Sequence, residues 1–266
     1  MIRATFQHLS GLGPGSEARL WGSGIRDWSG LLSAPVLSAL PARLRDRIER
    51  EIAASERALA DRDVAWFGRR LPPGEHWRLF PEFERETAYL DIETTGLSPF
   101  DGIVTVASVH ARGETRTFLA GEDLEELPAY LRRFPVLVTF NGSRFDVPFL
   151  TAVFPALTPP AAHIDLRFLL YRLGISGGLK RIESTLGLGD RTGVEGVDGL
   201  GAVRLWHEYR RGDRASLDRL VRYNRADTAN LEPLLRLSVD RLSSRLLPVE
   251  ALGQPLAGGV LSATGA

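Results

Sequence analysis

Between Pro41 and Asp63 apolar residues recur at helical intervals, at Leu44, Ile48, Ile52 and Leu59, with arginine and glutamate between them. This period predicts a helix with one buried face, and Pro41 suits its first position. Before it, residues 1–35 carry Gly11, Gly13, Gly15, Gly22, Gly24, Trp21 and Trp28 and read as a compact, turn-rich segment. Pro72-Pro73-Gly74 then break the chain ahead of Trp77 and Phe80. From about residue 86 the pattern becomes that of strands: Ala88–Ile92, Ile103–Val109 after an Asp101-Gly102 turn, and Thr115–Leu119. Glu122–Arg133 reads as an amphipathic helix and Val136–Phe140 as a buried strand ending at Asn141-Gly142. Asp165–Arg245 is mostly helical by period, and Pro248–Ala266 reads as a loose tail. Strands, helix, strand and helices in this order predict an α/β fold with a mixed sheet flanked by helices. The expected division is an accessory segment over 1–85, mainly helical and turn-rich, a sheet domain over 86–245, and a flexible tail over 246–266.

Composition narrows the chemistry. None of the 266 residues is cysteine, which excludes a disulfide framework, thiolate catalysis and thiolate zinc sites. The five histidines (His8, His76, His110, His163, His207) are far apart. A metal would therefore sit on carboxylates and be a hard cation. Basic and acidic residues balance at 33 each, so a nucleic-acid partner would have to be held by a local patch. One candidate is the run Arg204, Arg210, Arg211, Arg214, Arg219, Arg222 and Arg225; a solvated helix face explains it equally well. The longest uncharged stretch, Val147–Ile164, contains Pro148, Pro155, Pro159 and Pro160 and does not read as a membrane span. The N-terminus carries no apolar signal core. The expectation is a soluble, cytoplasmic protein with no membrane partner.

Carboxylates fall at the ends of elements in three places. Asp91 and Glu93 alternate on a strand and share a face, with Ile92 pointing the other way. Two carboxylates side by side repel unless a cation lies between them. Asp146 follows the strand Val136–Phe140. Asp227 lies four residues after Tyr223, on the same helix face. Each alone has an ordinary reading: Asp146 as a helix cap, Asp227 as a solvated helix residue.

Taken together the three resemble the motifs of the DEDD exonucleases, which have a ribonuclease H-like fold. Tyr89-Leu90-Asp91-Ile92-Glu93-Thr94-Thr95-Gly96-Leu97 is similar to the first motif. Asn141-x-x-x-Phe145-Asp146-x-Pro148-Phe149-Leu150 is similar to the second, in the form found in family B DNA polymerase proofreading domains. Tyr223-x-x-x-Asp227 resembles the third, in its tyrosine (DEDDy) variant. Ile164-Asp165-Leu166 and Gly178-Leu179-Lys180-x-x-Glu183 add a further match. Over residues 86–235 the chain most resembles the bacterial YprB-like ribonuclease H-like exonucleases. Glu17-Ala18-Arg19-Leu20-Trp21 and His76-Trp77-Arg78-Leu79-Phe80 extend that likeness more loosely.

The resemblance implies a metal-dependent 3′–5′ exonuclease that releases nucleoside 5′-monophosphates, with single-stranded DNA in repair as the favoured substrate. Asp91, Glu93, Asp146 and Asp227 would hold two Mg²⁺ (or Mn²⁺), with Asp91 bridging both. Tyr223 would orient the attacking water. Leu97 would wedge against the terminal base, the alternative being a loop residue tucked into the core. Thr94 would offer its backbone N–H to the terminal sugar. Asn141 would shape the turn or touch the substrate. Lys180, the only lysine, would contact a phosphate or carboxylate near the site, the alternative being an exposed helix residue. A helicase supplying single strands is the implied partner. Leu9–Leu20 resembles a helix-hairpin-helix turn, except that Glu17 stands where a small residue is usual; Trp21, Trp28, Trp66 and Trp77 read as core anchors. The competing functions are an exoribonuclease in RNA processing and a catalytically silent nucleic-acid-binding module.

Overall fold

The structure, a computed structural model, describes residues 1–246, and residues 247–266 of the expected tail lie outside the described residues. The chain divides into two compact units. One is formed by Met1–Glu84 with the described residues from Arg236 onward, and the other by Arg85–Leu235.

The first unit is built from short helices, α1 (Pro14–Gly22), α2 (Trp28–Ser33) and α3 (Pro35–Ser38), then the long α4 (Ala42–Ala60) and α5 (Val64–Gly68). Pro41 caps α4 from outside its first turn, and Ile48, Ile52 and Leu59 are buried as the period predicts. Trp21, Trp28 and Trp77 are buried anchors. Two of them satisfy their indole N–H on backbone carbonyls, Trp28 on Thr5 (2.8 Å) and Trp21 on Ala4 (3.1 Å). Glu17 has an explanation here. Its carboxylate turns inward, takes the N–H of Phe6 at 2.7 Å and pairs with Arg78 at 3.0 Å, both side chains at most 3% exposed. A small residue at 17 would leave the Arg78 guanidinium buried beside Thr5 with one partner fewer. Burying a charge is tolerated only when it is paired and hydrogen-bonded.

The second unit is a five-stranded mixed sheet flanked by helices. Its strands are β1 (Thr87–Thr94), β2 (Val104–Ala111), β3 (Glu114–Leu119), β4 (Val136–Thr139) and β5 (Ala162–Asp165). The order is β3-β2-β1-β4-β5. β1 is central, antiparallel to β2 and parallel to β4, and β4 is parallel to β5. The helix expected over Glu122–Arg133 is instead a 3-10 turn, Leu124–Glu126, followed by the short α6 (Leu127–Leu131). Pro128 is the reason: it has no N–H for a helix begun at residue 122, but fits the first turn of one begun at 127. The edge strand β5 was not expected, because four residues after a run of prolines show no usable period.

After β4 come α7 (Asp146–Val153), α8 (Leu166–Arg172), α9 (Leu179–Leu186), α10 (Gly199–Arg210), α11 (Arg214–Ala229) and α12 (Leu231–Leu246). Residues 236–246 of α12, which the period grouped with 86–245, belong to the first unit. Ala88, Leu90 and Ile92 bury one face of β1 in a core with Phe118, Phe149 and Leu150. The opposite face is covered by α10 and α11, where Val106 packs with Trp206, Leu220 and Tyr223. No helix among the described residues is long and apolar enough to cross a membrane.

The Glu17–Arg78 pair should dominate the stability of the first unit. Glu17→Ala is expected to cost about 1–3 kcal/mol, because it removes one of the two carboxylate partners of the buried Arg78 guanidinium and leaves Glu75 in place. Urea unfolding would measure this; a loss below 1 kcal/mol would remove the pair from that role.

Candidate active site

Alternation on β1 sends Ile92 into the core and Asp91 and Glu93 to the face beneath α11. α11 buries Tyr223, Asn224 and Asp227 on one side and leaves Arg219, Arg222 and Arg225 exposed on the other. Asp227 thus meets the strand pair: one oxygen each of Asp91, Glu93 and Asp227 lies within 4.8 Å of the others. Asp146 opens α7 beside this cluster and accepts the N–H of Ile92 at 3.3 Å. It is not a side-chain cap of that helix. The basic run is a solvated face so far as α11 is concerned, since its arginines point away from Asp227.

The register of β1 with β2 shifts between Glu93 and Thr94, so that Thr105 has no partner across the pair. Its hydroxyl instead donates to the carbonyl of Glu93 at 3.0 Å. Such irregularities bend a strand and re-aim the side chains beside them. Beyond it, Thr94 Oγ1 donates to the Gly96 carbonyl (2.6 Å), and Thr95 and Ile103 close the loop with two hydrogen bonds of 3.0 Å. Gly96 and Gly102 face each other so closely that a Cβ on Gly102 would strike the Gly96 backbone. The loop is therefore braced, yet Leu97 is 89% exposed and Phe100 fully so. Leu97 is not tucked into the core.

Asn141 has φ 65°, the left-handed region where asparagine is among the tolerated residues. Its N–H donates to Asp165 Oδ1 (2.8 Å) and its Oδ1 accepts from Arg167 (2.8 Å). It shapes the turn and holds an arginine. Lys180 is not freely exposed: its ammonium donates to the Val197 carbonyl and lies 4.4 Å from the centroid of the Tyr223 ring.

Two residues beside the carboxylates, Asn224 and Arg191, are not legible as site residues in the sequence, and a third, Glu183, is legible only as part of a motif match. Asn224, fully buried, donates to Asp91 Oδ2 at 2.8 Å and to the Asp91 carbonyl at 3.2 Å. Arg191 pairs with Asp227 at 2.5 Å and also with the buried Glu183. Asn224 sits next to Tyr223; Arg191 carries no local signal, because its loop reaches the site only through the fold.

The charges explain the titration behaviour. Burial first, then the neighbouring carboxylates, push Glu93 up to about 8 and Asp91 well above its ordinary value. Burial raises Asp146 to about 7 against the hydrogen bonds that lower it. Burial and then Asp227 raise the Tyr223 phenol, while burial lowers the Lys180 ammonium. Oxygen donors converging under mutual repulsion fit a hard divalent cation, and this cluster is the one such group of three among the described residues.

Residues 88–239 match the family described as the RNase_H superfamily. The chain belongs to that superfamily. The mixed sheet with helices on its faces is accordingly a ribonuclease H-like α/β fold. No curated protein matches the sequence. Among solved structures, the family B DNA polymerase of the archaeon Pyrobaculum calidifontis is 19% identical with a TM-score of 0.48. The match covers 63% of this chain but 27% of the polymerase. Brucella melitensis NrnC bound to pGG is 19% identical, covering 62% of this chain and 78% of that one, TM-score 0.42. The Aedes aegypti Nibbler EXO domain is 12% identical, covering 66% and 88%, TM-score 0.44.

Two outcomes are expected. The folded, metal-free protein holds the Glu93 and Asp91 protons more tightly than the unfolded chain, whose carboxylates titrate near ~4. Its stability is therefore full below that range and is lost as pH rises toward the raised folded values. In EDTA the melting temperature should fall by a few degrees between pH 5.5 and 8.5, and Mg²⁺ or Mn²⁺ should restore it mainly at the higher pH. An equal metal response at both pH values would count against carboxylate repulsion as the cause. Separately, Lys180→Arg, whose planar head cannot reproduce the compact ammonium over Tyr223, should lower activity on a nucleic-acid substrate; unchanged turnover and affinity would leave Lys180 a structural residue only.

Proposed function

We propose that this chain is a metal-dependent 3′–5′ exonuclease of the DEDDy type, acting on single-stranded DNA and releasing nucleoside 5′-monophosphates. The observation that carries the reading is the convergence of Asp91, Glu93 and Asp227 within 4.8 Å, with Asp146 beside them and Tyr223 one turn from Asp227. In this reading the four carboxylates hold two Mg²⁺ or Mn²⁺. Such cations, when bound, supply charge stabilisation to a transferring phosphoryl group and lower the pKa of water.

The chain's own residues do the rest. Asn224 holds the Asp91 carboxylate through one hydrogen bond to Oδ2 and steadies the strand through a second to the Asp91 carbonyl. Tyr223 keeps its proton, because burial and the adjacent carboxylates oppose its ionisation. It can therefore orient a water by hydrogen bonding but is unsuited to be the base. Lys180 and Arg191 bring two positive charges to the rim of an otherwise anionic site, which lowers the repulsion felt by an incoming phosphate. Leu97, held outward on a braced loop, supplies an apolar face to the terminal base, and the backbone N–H of Thr94 is assigned to its sugar. Asn141 acts through Arg167.

DNA is favoured because the motifs most resemble those of DNA exonucleases. The YprB-like assignment and a role in repair beside a helicase rest on that same resemblance; a cytoplasmic location rests on the N-terminal sequence, which carries no apolar signal core.

Degradation of 5′-labelled single-stranded DNA and RNA of one sequence, in Mg²⁺, Mn²⁺ and EDTA, tests the reading. A ladder shortening from the 3′ end of DNA is expected, absent in EDTA. Asp91→Ala should lose more than the ~10–100-fold that follows removal of a residue behind a metal ligand. Tyr223→Phe should lose about tenfold, the scale of one orienting hydrogen bond to the water. A ladder on RNA alone would move the substrate to RNA; no ladder on either would overturn the nuclease assignment.

A further inference from the structure

A cleft of about 460 Å³ opens between the turn after β4 and the α8–α9 segment. That volume is within the ~300–1,000 Å³ of sites for small organic groups. Its walls include Arg144, Arg167, Phe168, Tyr171, Gly177 and Ile182, and two arginines but no carboxylate line it.

α8 has a divided surface. Leu166, Leu169 and Leu170 are buried. Phe168 and Tyr171, three residues apart and so neighbours on the helix surface, are 41% and 72% exposed. Burying such rings would be favourable, so their exposure needs a reason. The Arg144 guanidinium already lies over the Phe168 ring, 5.0 Å from its centroid. The Tyr171 ring has no aromatic or cation partner among the described residues. Arg167 is anchored by one nitrogen on Asn141, which leaves its other donors for a ligand.

Each wall of the cleft is continuous in the chain with a residue of the carboxylate site. Arg144 is two residues before Asp146, and Gly178 in the opposite wall is two residues before Lys180, the ammonium over Tyr223. A strand whose end lies at the carboxylates would therefore have its preceding nucleotides at this opening.

We infer that this cleft binds the single-stranded DNA upstream of the terminal nucleotide, its bases stacking on Tyr171 and Phe168 and its phosphates meeting Arg144 and Arg167. Planar rings beside cations, without an array of base-reading groups, suit a strand of any sequence. The inference deepens the nuclease reading and rests on it for the direction of the strand.

The test is equilibrium binding in EDTA, where nothing is cleaved, of a 5′-labelled twelve-nucleotide deoxythymidine oligomer and of the corresponding dinucleotide. Tyr171→Ala should weaken the long oligomer about tenfold, the scale of one lost base stack, and affect the dinucleotide much less. Tyr171→Trp should recover the loss. Arg144→Ala should reduce the salt dependence of long-oligomer binding by about one phosphate contact. Tyr171 is largely exposed, so the variant should fold; a matching melting curve checks this. The inference is overturned if Tyr171→Ala binds the long oligomer as tightly as the parent, if both lengths weaken equally, or if the parent binds the ribo-oligomer but not DNA. Failure of the nuclease reading would show separately, as no ladder in Mg²⁺ despite cleft-dependent binding.

Discussion

Repulsion between carboxylates at the end of the central strand is the constraint to which the surrounding sheet and helices answer. Asp91, Glu93 and Asp227 stand closer together than three anions tolerate in water-poor surroundings. Desolvation makes this worse, as the raised values of Asp91, Glu93 and Asp146 record. Something must hold the groups in place against that repulsion. The sheet does so for the first pair, because β1 is hydrogen-bonded on both sides. α11 does so for Asp227, because Leu217, Leu220 and Tyr223 bury the same helix face. Asn224 then ties the two elements at one point, donating to both the side chain and backbone of Asp91.

Positive charge is placed with the same economy. Arg191 meets Asp227 and Glu183, and Lys180 lies over the Tyr223 ring. Both cations reach the site from the segment between α8 and α10, not from the arginine-rich face of α11. The distinction is physical: a helix that turns tyrosine, asparagine and aspartate inward must turn the residues between them outward. The loop between β1 and β2 is held by a different device, two glycines in backbone contact, and this rigidity lets Leu97 and Phe100 stay exposed without collapsing onto the core.

Local pattern carried much of this. The strand alternation put Asp91 and Glu93 on one face, and the four-residue spacing put Tyr223 and Asp227 on another. The helical period found α4 and its buried face. It failed at Glu122–Arg133, where one missing N–H at Pro128 outweighed the periodicity, and it missed β5, whose four residues become a strand through pairing with β4. Glu17 looked like a departure from a known turn because its partner, Arg78, is distant in sequence.

The sequence by itself determined the residue types available for chemistry. With no cysteine and dispersed histidines, hard oxygen ligands were the only set it could offer. It also determined which carboxylates share a face within each element, since that follows from the backbone repeat. Tertiary structure decided what no repeat encodes: that Asp227 meets Asp91 and Glu93, that Asn224 and Arg191 join them, and that Leu97 faces solvent. Those contacts link residues far apart in the chain. Their geometry depends on how α11 packs across β1 and how the loops close, and packing is set by the whole core and not by local periodicity.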